Sequence, residues 1–167
     1  MGKMASKKSH KGKEVVWKEG NELALFVVDQ IKKSGLAKKI EICGSLRRKK
    51  ERVGDIDILV IPVNKEKLRE YLCSNLGFEG GNIKLFSLIK GIQFDIFIME
   101  EESWGAALLY LTGSKITNIR QRIKARKAGY FLNEKGLFRK DKRLSCSCDE
   151  RLIYKKMGWN WLEPEER

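Results

Sequence analysis

Histidine is nearly missing from this chain: His10, in a lysine-rich start, is the only one among 167 residues. It lies outside every apolar-patterned segment, so a Ser-His or Cys-His nucleophile and a histidine general base are nearly excluded. Cysteine is scarce too. Cys43, Cys73, Cys146 and Cys148 form no CxxC pair and have no histidine partners, which argues against a zinc site and against a disulfide framework. No apolar run approaches the roughly 18 residues that cross a bilayer, and no apolar stretch follows the basic start as in a secretory signal. The expectation is an intracellular, reduced protein off the membrane, whose chemistry rests on carboxylates, cations or metal.

Acids are outnumbered. There are 35 Lys and Arg against 22 Asp and Glu, a formal net charge of +13, and such an excess favours a polyanionic partner. The stretch Met1 to Lys13 carries five lysines and no acid. A second acid-free stretch lies between Glu102 and Glu134 and holds Lys115, Arg120, Arg122, Lys124, Arg126 and Lys127. Lysine runs are usually only solvated surface. The second stretch is the better candidate for a polyanion-binding face, because its charges mix with aromatic and amide residues.

A chain of this length makes one compact domain or two small lobes with a real core. Trp17, Leu23, Val27, Val28 and Ile31 recur at helical spacing, and Ile40 and Ile42 alternate into a short strand ending at Gly44-Ser45. Ile56 to Pro62 reads as a central strand and Lys65 to Asn75 as a helix. Ile83 to Ile89 and Ile92 to Met99 read as a hairpin turned at Lys90-Gly91. Strands with interposed helices suggest a mixed sheet covered on one face. From Glu101 the pattern turns helical, with helices ending at Gly113 and Gly129, two short strands near Phe131 and Leu137, and a last helix from Asp149 to Met157. The division expected is a basic tail at 1–13, a catalytic sheet lobe at 14–100 and a basic helical lobe at 101–167.

In "GDIDILVIP" two acids, Asp55 and Asp57, stand one residue apart where an oily strand begins. Alternation points both to one face and sends Ile56 and Ile58 to the other. Either the pair is solvated, as in many loops, or it holds a cation. In "IQFDIFIM" a third acid, Asp95, interrupts another apolar run. On neighbouring strands such side chains lie roughly 4.5–5.5 Å apart. Three converging carboxylates need a counter-charge, and a pair of Mg²⁺ ions supplies one. Upstream, in "CGSLRRKKERVGDID", Gly44-Ser45 closes a strand and opens a helical turn, where free N–H groups and a hydroxyl can grip a phosphate, with Arg47 and Arg48 adding guanidinium donors. The spacing of GS, nine residues and DxD matches a nucleotidyltransferase signature.

The stretch "YLTGSKITNIRQRIKARKAGYFLNEKGLF" resembles the C-terminal lobe of X-family DNA polymerases, the relatives of DNA polymerase beta, and "LEPEER" resembles that family's closing segment. The resemblance covers about residues 36–167. With no room before Trp17 for the family's lyase domain, the chain looks most like the minimal viral version. The resemblance implies an α+β fold: a nucleotidyltransferase palm, its mixed sheet covered by helices, followed by a small, mostly helical lobe. It implies a template-directed polymerase filling short gaps in DNA repair, using two Mg²⁺ ions, with Mn²⁺ able to substitute. Gapped or primer-template DNA and deoxynucleoside triphosphates would be its partners, and it would act as a monomer.

Carried over residue by residue, Asp55 and Asp57 would bind both metals, while Asp95 would bind one and help deprotonate the primer 3′-hydroxyl. Ser45 and Arg48 would hold the triphosphate, helped by backbone at Gly44 and Gly54. Tyr110, Leu111 and Gly113 belong to the turn under the sugar. Asn118 and Arg122 match positions facing the minor-groove edge of the nascent pair. Geometry agrees: four apart, they share a helical face, leaving Ile116, Ile119 and Ile123 to pack elsewhere. Minor-groove acceptors barely vary among base pairs, so a reader there checks shape rather than sequence.

Three positions depart from the family: Gln93 replaces a usual Arg, Leu111 a usual Phe, and Lys115 an acid or small polar group. Two rivals stay open, a template-independent nucleotidyltransferase and a basic DNA-binding module with a decayed site.

Overall fold

The computed structural model describes residues 12–167. The lysine-rich start, His10 included, lies outside the described residues up to position 11. The last two residues assigned to the tail belong to the fold, since the Lys13 amide donates to the Gly91 carbonyl at 2.7 Å. Strand β1 (Val15–Val16) pairs antiparallel with β3 (Arg52–Val53) and leads into helix α1 (Trp17–Lys33). Helix α1 buries Gly20, Ala24, Val27, Val28 and Ile31 on one face and ends on Lys32 and Lys33, where cations suit the helix dipole.

The central sheet runs in the order β2 (Ala37–Ile42), β4 (Asp55–Pro62), β7 (Ile92–Ile98), β6 (Lys84–Ile89), β5 (Glu79–Gly80). It is mixed: β4 and β7 are parallel and every other pair is antiparallel. A parallel pair needs a long crossover, and α3 (Lys65–Leu76) lies in it. The Asn64 side chain caps α3 by accepting from the Lys67 amide, and Gly77 ends it with φ +66°. The expected hairpin is present. Lys90 and Gly91 both take positive φ, as a tight turn between right-twisted strands requires.

Ile56, Ile58, Val60, Phe94 and Ile96 face Val27, Ile31, Leu68 and Leu72 in the main core. Contrary to the one-face expectation, the opposite face is covered too. Helix α4 (Trp104–Thr112) lays Ala107 and Leu108 against Cys43, Leu59, Ile61 and Met99. The reason is legible in "ILVIP", a continuous apolar run of the kind found in strands buried on both sides.

The second lobe continues with α5 (Lys115–Lys127), a three-stranded antiparallel sheet of β8 (Phe131–Asn133), β9 (Gly136–Arg139) and β10 (Lys142–Arg143), and α6 (Glu150–Met157). The turn Gly44–Arg47 is a one-turn helix, α2. One expectation fails on α5. Ile116, Ile119 and Ile123 do not pack; they are 61%, 47% and 51% exposed, and the helix buries Gln121 and Ala125 instead. Ala125 is small enough for close contact, and Gln121 Nε2 donates to the Tyr154 hydroxyl at 2.7 Å, while Gln121 Oε1 is buried without a partner. At 100° per residue the isoleucines fall on the side opposite that pair. Among the described residues no helix is long and apolar enough to cross a membrane.

Candidate active site

The sheet register sets the acids. Asp57 on β4 pairs with Asp95 on β7, and Asp95 with Phe86 on β6. One row over, Asp55 pairs with Gln93, and Gln93 with Leu88. Asp55, Asp57 and Asp95 therefore share one face of the sheet, as the alternation predicted. Asp55 is exposed, Asp57 half-buried and Asp95 only 4% exposed. Burial, then the neighbouring carboxylates Asp55 and Asp95, push the Asp57 pKa up to about 7. Burial and Asp95 also raise Asp55.

One residue that sequence reading missed answers this crowding. The Lys84 ammonium lies 2.7 Å from Asp95 Oδ2, and Gln93 Nε2 donates to both Asp95 oxygens at 3.1 and 3.2 Å. Lys84 stands two residues before Phe86, so the hairpin register alone could have placed it on this face. Three carboxylates opposed by one lysine make a hard oxygen donor set suited to Mg²⁺. As the side chains stand, no three His, Cys, Asp or Glu among the described residues are gathered closely enough to enclose an ion. Both oxygens of Asp95 are engaged by Lys84 and Gln93.

The Gly44–Ser45 turn, expected to grip phosphate, abuts the acids. Gly44 has φ +61°, and a Cβ there would lie 2.4 Å from Asp57 Oδ2, so only glycine lets the turn come this close. The Cys43 amide donates to the Asp57 carbonyl at 2.7 Å and fixes the two segments together. Ser45 Oγ and Arg48 Nε are buried with no hydrogen-bond partner, which fits groups awaiting an anion. Gly54 has open space where a side chain would stand.

Arg47 does not join them. Its guanidinium donates to Thr112 Oγ1 at 2.6 Å and to both Glu150 oxygens at 3.0 and 2.7 Å. Glu150 also takes a 2.7 Å bond from the buried Arg167, while Arg48 donates to the Thr112 carbonyl. Helix α2, the end of α4, the start of α6 and the last described residue thus meet beside the Gly44–Ser45 turn. Nothing local in sequence announces partners 103 residues apart.

Tyr110 and Leu111 sit at the end of α4, Leu111 packed beneath and Tyr110 exposed. Gly113 has φ +67° and is joined to Ser114 by a cis peptide. The two expected minor-groove readers converge on Tyr110: Asn118 Nδ2 donates to its carbonyl at 2.7 Å, and the Arg122 guanidinium lies 5.9 Å from its ring centroid. Arg122 Nε also donates to the Leu132 carbonyl at 3.3 Å. Lys115, Arg120, Lys124, Arg126 and Lys127 are exposed on α5, and none forms an ion pair among the described residues.

Comparison with known proteins follows the same outline. The family model of the DNA polymerase beta palm matches residues 15–79, and that of the DNA polymerase beta thumb matches residues 107–167. Repair DNA polymerase X of African swine fever virus (isolate Pig/Kenya/KEN-50/1950) is 31% identical over 93% of this chain and 96% of its own. The same protein of the Badajoz 1971 Vero-adapted strain is 30% identical over equal shares. A crystal structure of polymerase beta of Leishmania infantum, a ternary P/T complex, shares the fold with a TM-score of 0.78 at 21% identity, covering 95% of this chain and 78% of that one.

Proposed function

This chain belongs to the X family of DNA polymerases, the relatives of DNA polymerase beta, and from that premise we propose that it fills short DNA gaps by two-metal nucleotidyl transfer. It is a DNA-directed DNA polymerase of the repair type. The mechanism, the site roles and the preference for gaps are our reading.

Asp55 and Asp57 would hold both Mg²⁺ ions and Asp95 one of them, with Mn²⁺ able to replace them. Bound there, the ions would acidify the attacking hydroxyl and would offset charge on the leaving pyrophosphate. Asp95 takes the proton of the primer 3′-hydroxyl; that oxygen bonds to the α-phosphorus of the deoxynucleoside triphosphate, and the bond to the bridging oxygen breaks. The Ser45 hydroxyl and Arg48, both with unsatisfied buried atoms, hold the triphosphate beside Asp57. Arg47, clamped by Glu150, keeps that turn in place. Tyr110 and Gly113 lie under the sugar, and Asn118 and Arg122 test the pair's minor-groove edge. Lys115, Arg120, Lys124, Arg126 and Lys127 meet DNA phosphates, and the enzyme works as a monomer.

The observation that carries this reading is the in-register pairing of Asp57 with Asp95, with Asp55 on the adjoining row. Single-nucleotide insertion into gapped DNA with Mg²⁺ tests it. Wild-type protein should extend the primer and Asp95→Ala should not, with DNA binding largely kept. Equal extension without a template would replace the reading with a terminal transferase, and an active Asp95→Ala protein would remove it.

A further inference from the structure

Strand β6 carries more than Lys84 to the face of the carboxylates. Phe86 lies in register with Asp95 and Leu88 with Gln93, and these large apolar side chains are 46% and 51% exposed. Leu85 between them and Lys84 points the other way and is fully buried. Beyond them the sheet has only β5, which pairs with β6 at Leu85 and Phe86, so no strand flanks Leu88 on that side. An apolar pair thus borders the acid that must meet the primer's 3′-hydroxyl.

We propose that Phe86 and Leu88 form the seat for the deoxyribose of the primer's 3′-terminal nucleotide, holding its hydroxyl against Asp95. The inference rests on the polymerase reading above and names two positioning residues within it. Cross-strand neighbours stand roughly 4.5–5.5 Å apart, so a group that meets Asp95 from the β6 side, away from Asp57, lies over Phe86 or beside it. Of the parts of a DNA strand, phosphates suit the cations of α5, and paired bases meet edge to edge with their faces stacked on their neighbours. The deoxyribose, with C–H surface and no 2′-hydroxyl, is the part that matches an aromatic ring and a leucine. Its contact also has a catalytic consequence. A sugar free to slide leaves its 3′-oxygen out of line with the α-phosphorus, and displacement near 1 Å can cost on the order of a hundredfold in rate.

The test is single-nucleotide insertion by the full chain with Mg²⁺, at saturating DNA and triphosphate, with wild type, Phe86→Ala, Phe86→Met and Leu88→Ala. Phe86→Ala should lower the insertion rate by roughly ten- to a hundredfold with little change in DNA affinity, and Phe86→Met should recover most of it. The loss should be of similar size with each of the four bases at the primer terminus, because the contact is to sugar. A merely structural role would lower thermal stability as well, whereas a half-exposed side chain should leave the melting temperature nearly unchanged. Insertion at the wild-type rate by both alanine variants overturns the proposal and assigns the exposed pair to another partner. A loss confined to DNA affinity, or one that follows the terminal base, overturns it also. If wild-type protein inserts nothing, the polymerase reading itself falls and this inference with it.

Discussion

Asp57 and Asp95 face each other in register across two parallel strands, and the Lys84 ammonium, 2.7 Å from Asp95, is the nearest positive charge bonded to either. Burial, with repulsion from the neighbouring carboxylates, raises the Asp57 pKa and so ties the site to pH.

The first expectation concerns Asp57, with its pKa raised to about 7 by burial and by Asp55 and Asp95. The folded protein binds this proton more readily than the unfolded chain. Its contribution to stability is therefore full at acid pH and is lost as pH rises from the ordinary carboxylate range through about 7. Melts in chelator should show wild type weakening over that window, and Asp57→Asn should flatten the decline. The variant should melt higher than wild type at pH 8 and yet fail to insert nucleotides. Mg²⁺ should raise the wild-type midpoint at pH 8 more than the variant's. A variant no more stable than wild type at pH 8 would contradict this account.

If Asp95 holds a metal ion as proposed, Lys84 competes with that ion for its carboxylate. Its side chain is half exposed, so the pair is worth at most about 1 kcal/mol. Lys84→Met should reach half-maximal insertion at an Mg²⁺ concentration lower by up to about fivefold, the same energy expressed as a ratio. Titrating activity with Mg²⁺ gives the answer, and a rise in the requirement would show that Lys84 assists the site instead.

Glu150 forms ion pairs with both Arg47 and the fully buried Arg167 side chain. Removing one member of such a network leaves buried charge uncompensated, at a cost of about 3–5 kcal/mol. Glu150→Ala should lower denaturant-derived stability by that amount. Pairing it with Arg47→Met should recover part of the loss, since one of the stranded cations is gone. Additive losses would mean that the two residues do not act together.

Arg122 now rests on the ring of Tyr110. If it turns to the minor-groove edge of the nascent pair, Arg122→Ala should slow insertion roughly ten- to a hundredfold, matching about 1.5–3 kcal/mol for a charged hydrogen bond. DNA affinity should change far less. Lys127→Ala should do the reverse, weakening binding and reducing its salt dependence by about one counterion. Insertion rates beside affinities at several salt concentrations separate the two roles.

The acids were readable because each interrupts an apolar strand, and strand alternation dictates which face an interruption takes. The hairpin and the glycine at position 44 were readable for the same local reason. Lys84 was within reach of that logic and was passed over. The Arg47–Glu150–Arg167 cluster was not within reach, because its partners come from opposite ends of the chain and nothing in "SLRRKK" says which arginine faces the phosphate turn. The isoleucines of α5 misled: their spacing is that of a buried stripe, but Ala125 and the Gln121–Tyr154 bond claim the inward side.

The register between β4 and β7 also acts as a built-in gauge. The spacing of Asp57 and Asp95 is set by a backbone ladder whose pitch is the same in every sheet, so side-chain changes in the two cores can blur the site only by shifting a strand. A shift of one residue would turn Phe94 or Ile96 toward the face of the acids and drive Asp95 into the apolar core, an error large enough for the fold to reject. A change in the cores therefore either leaves the span between the acids as it is or displaces a whole strand.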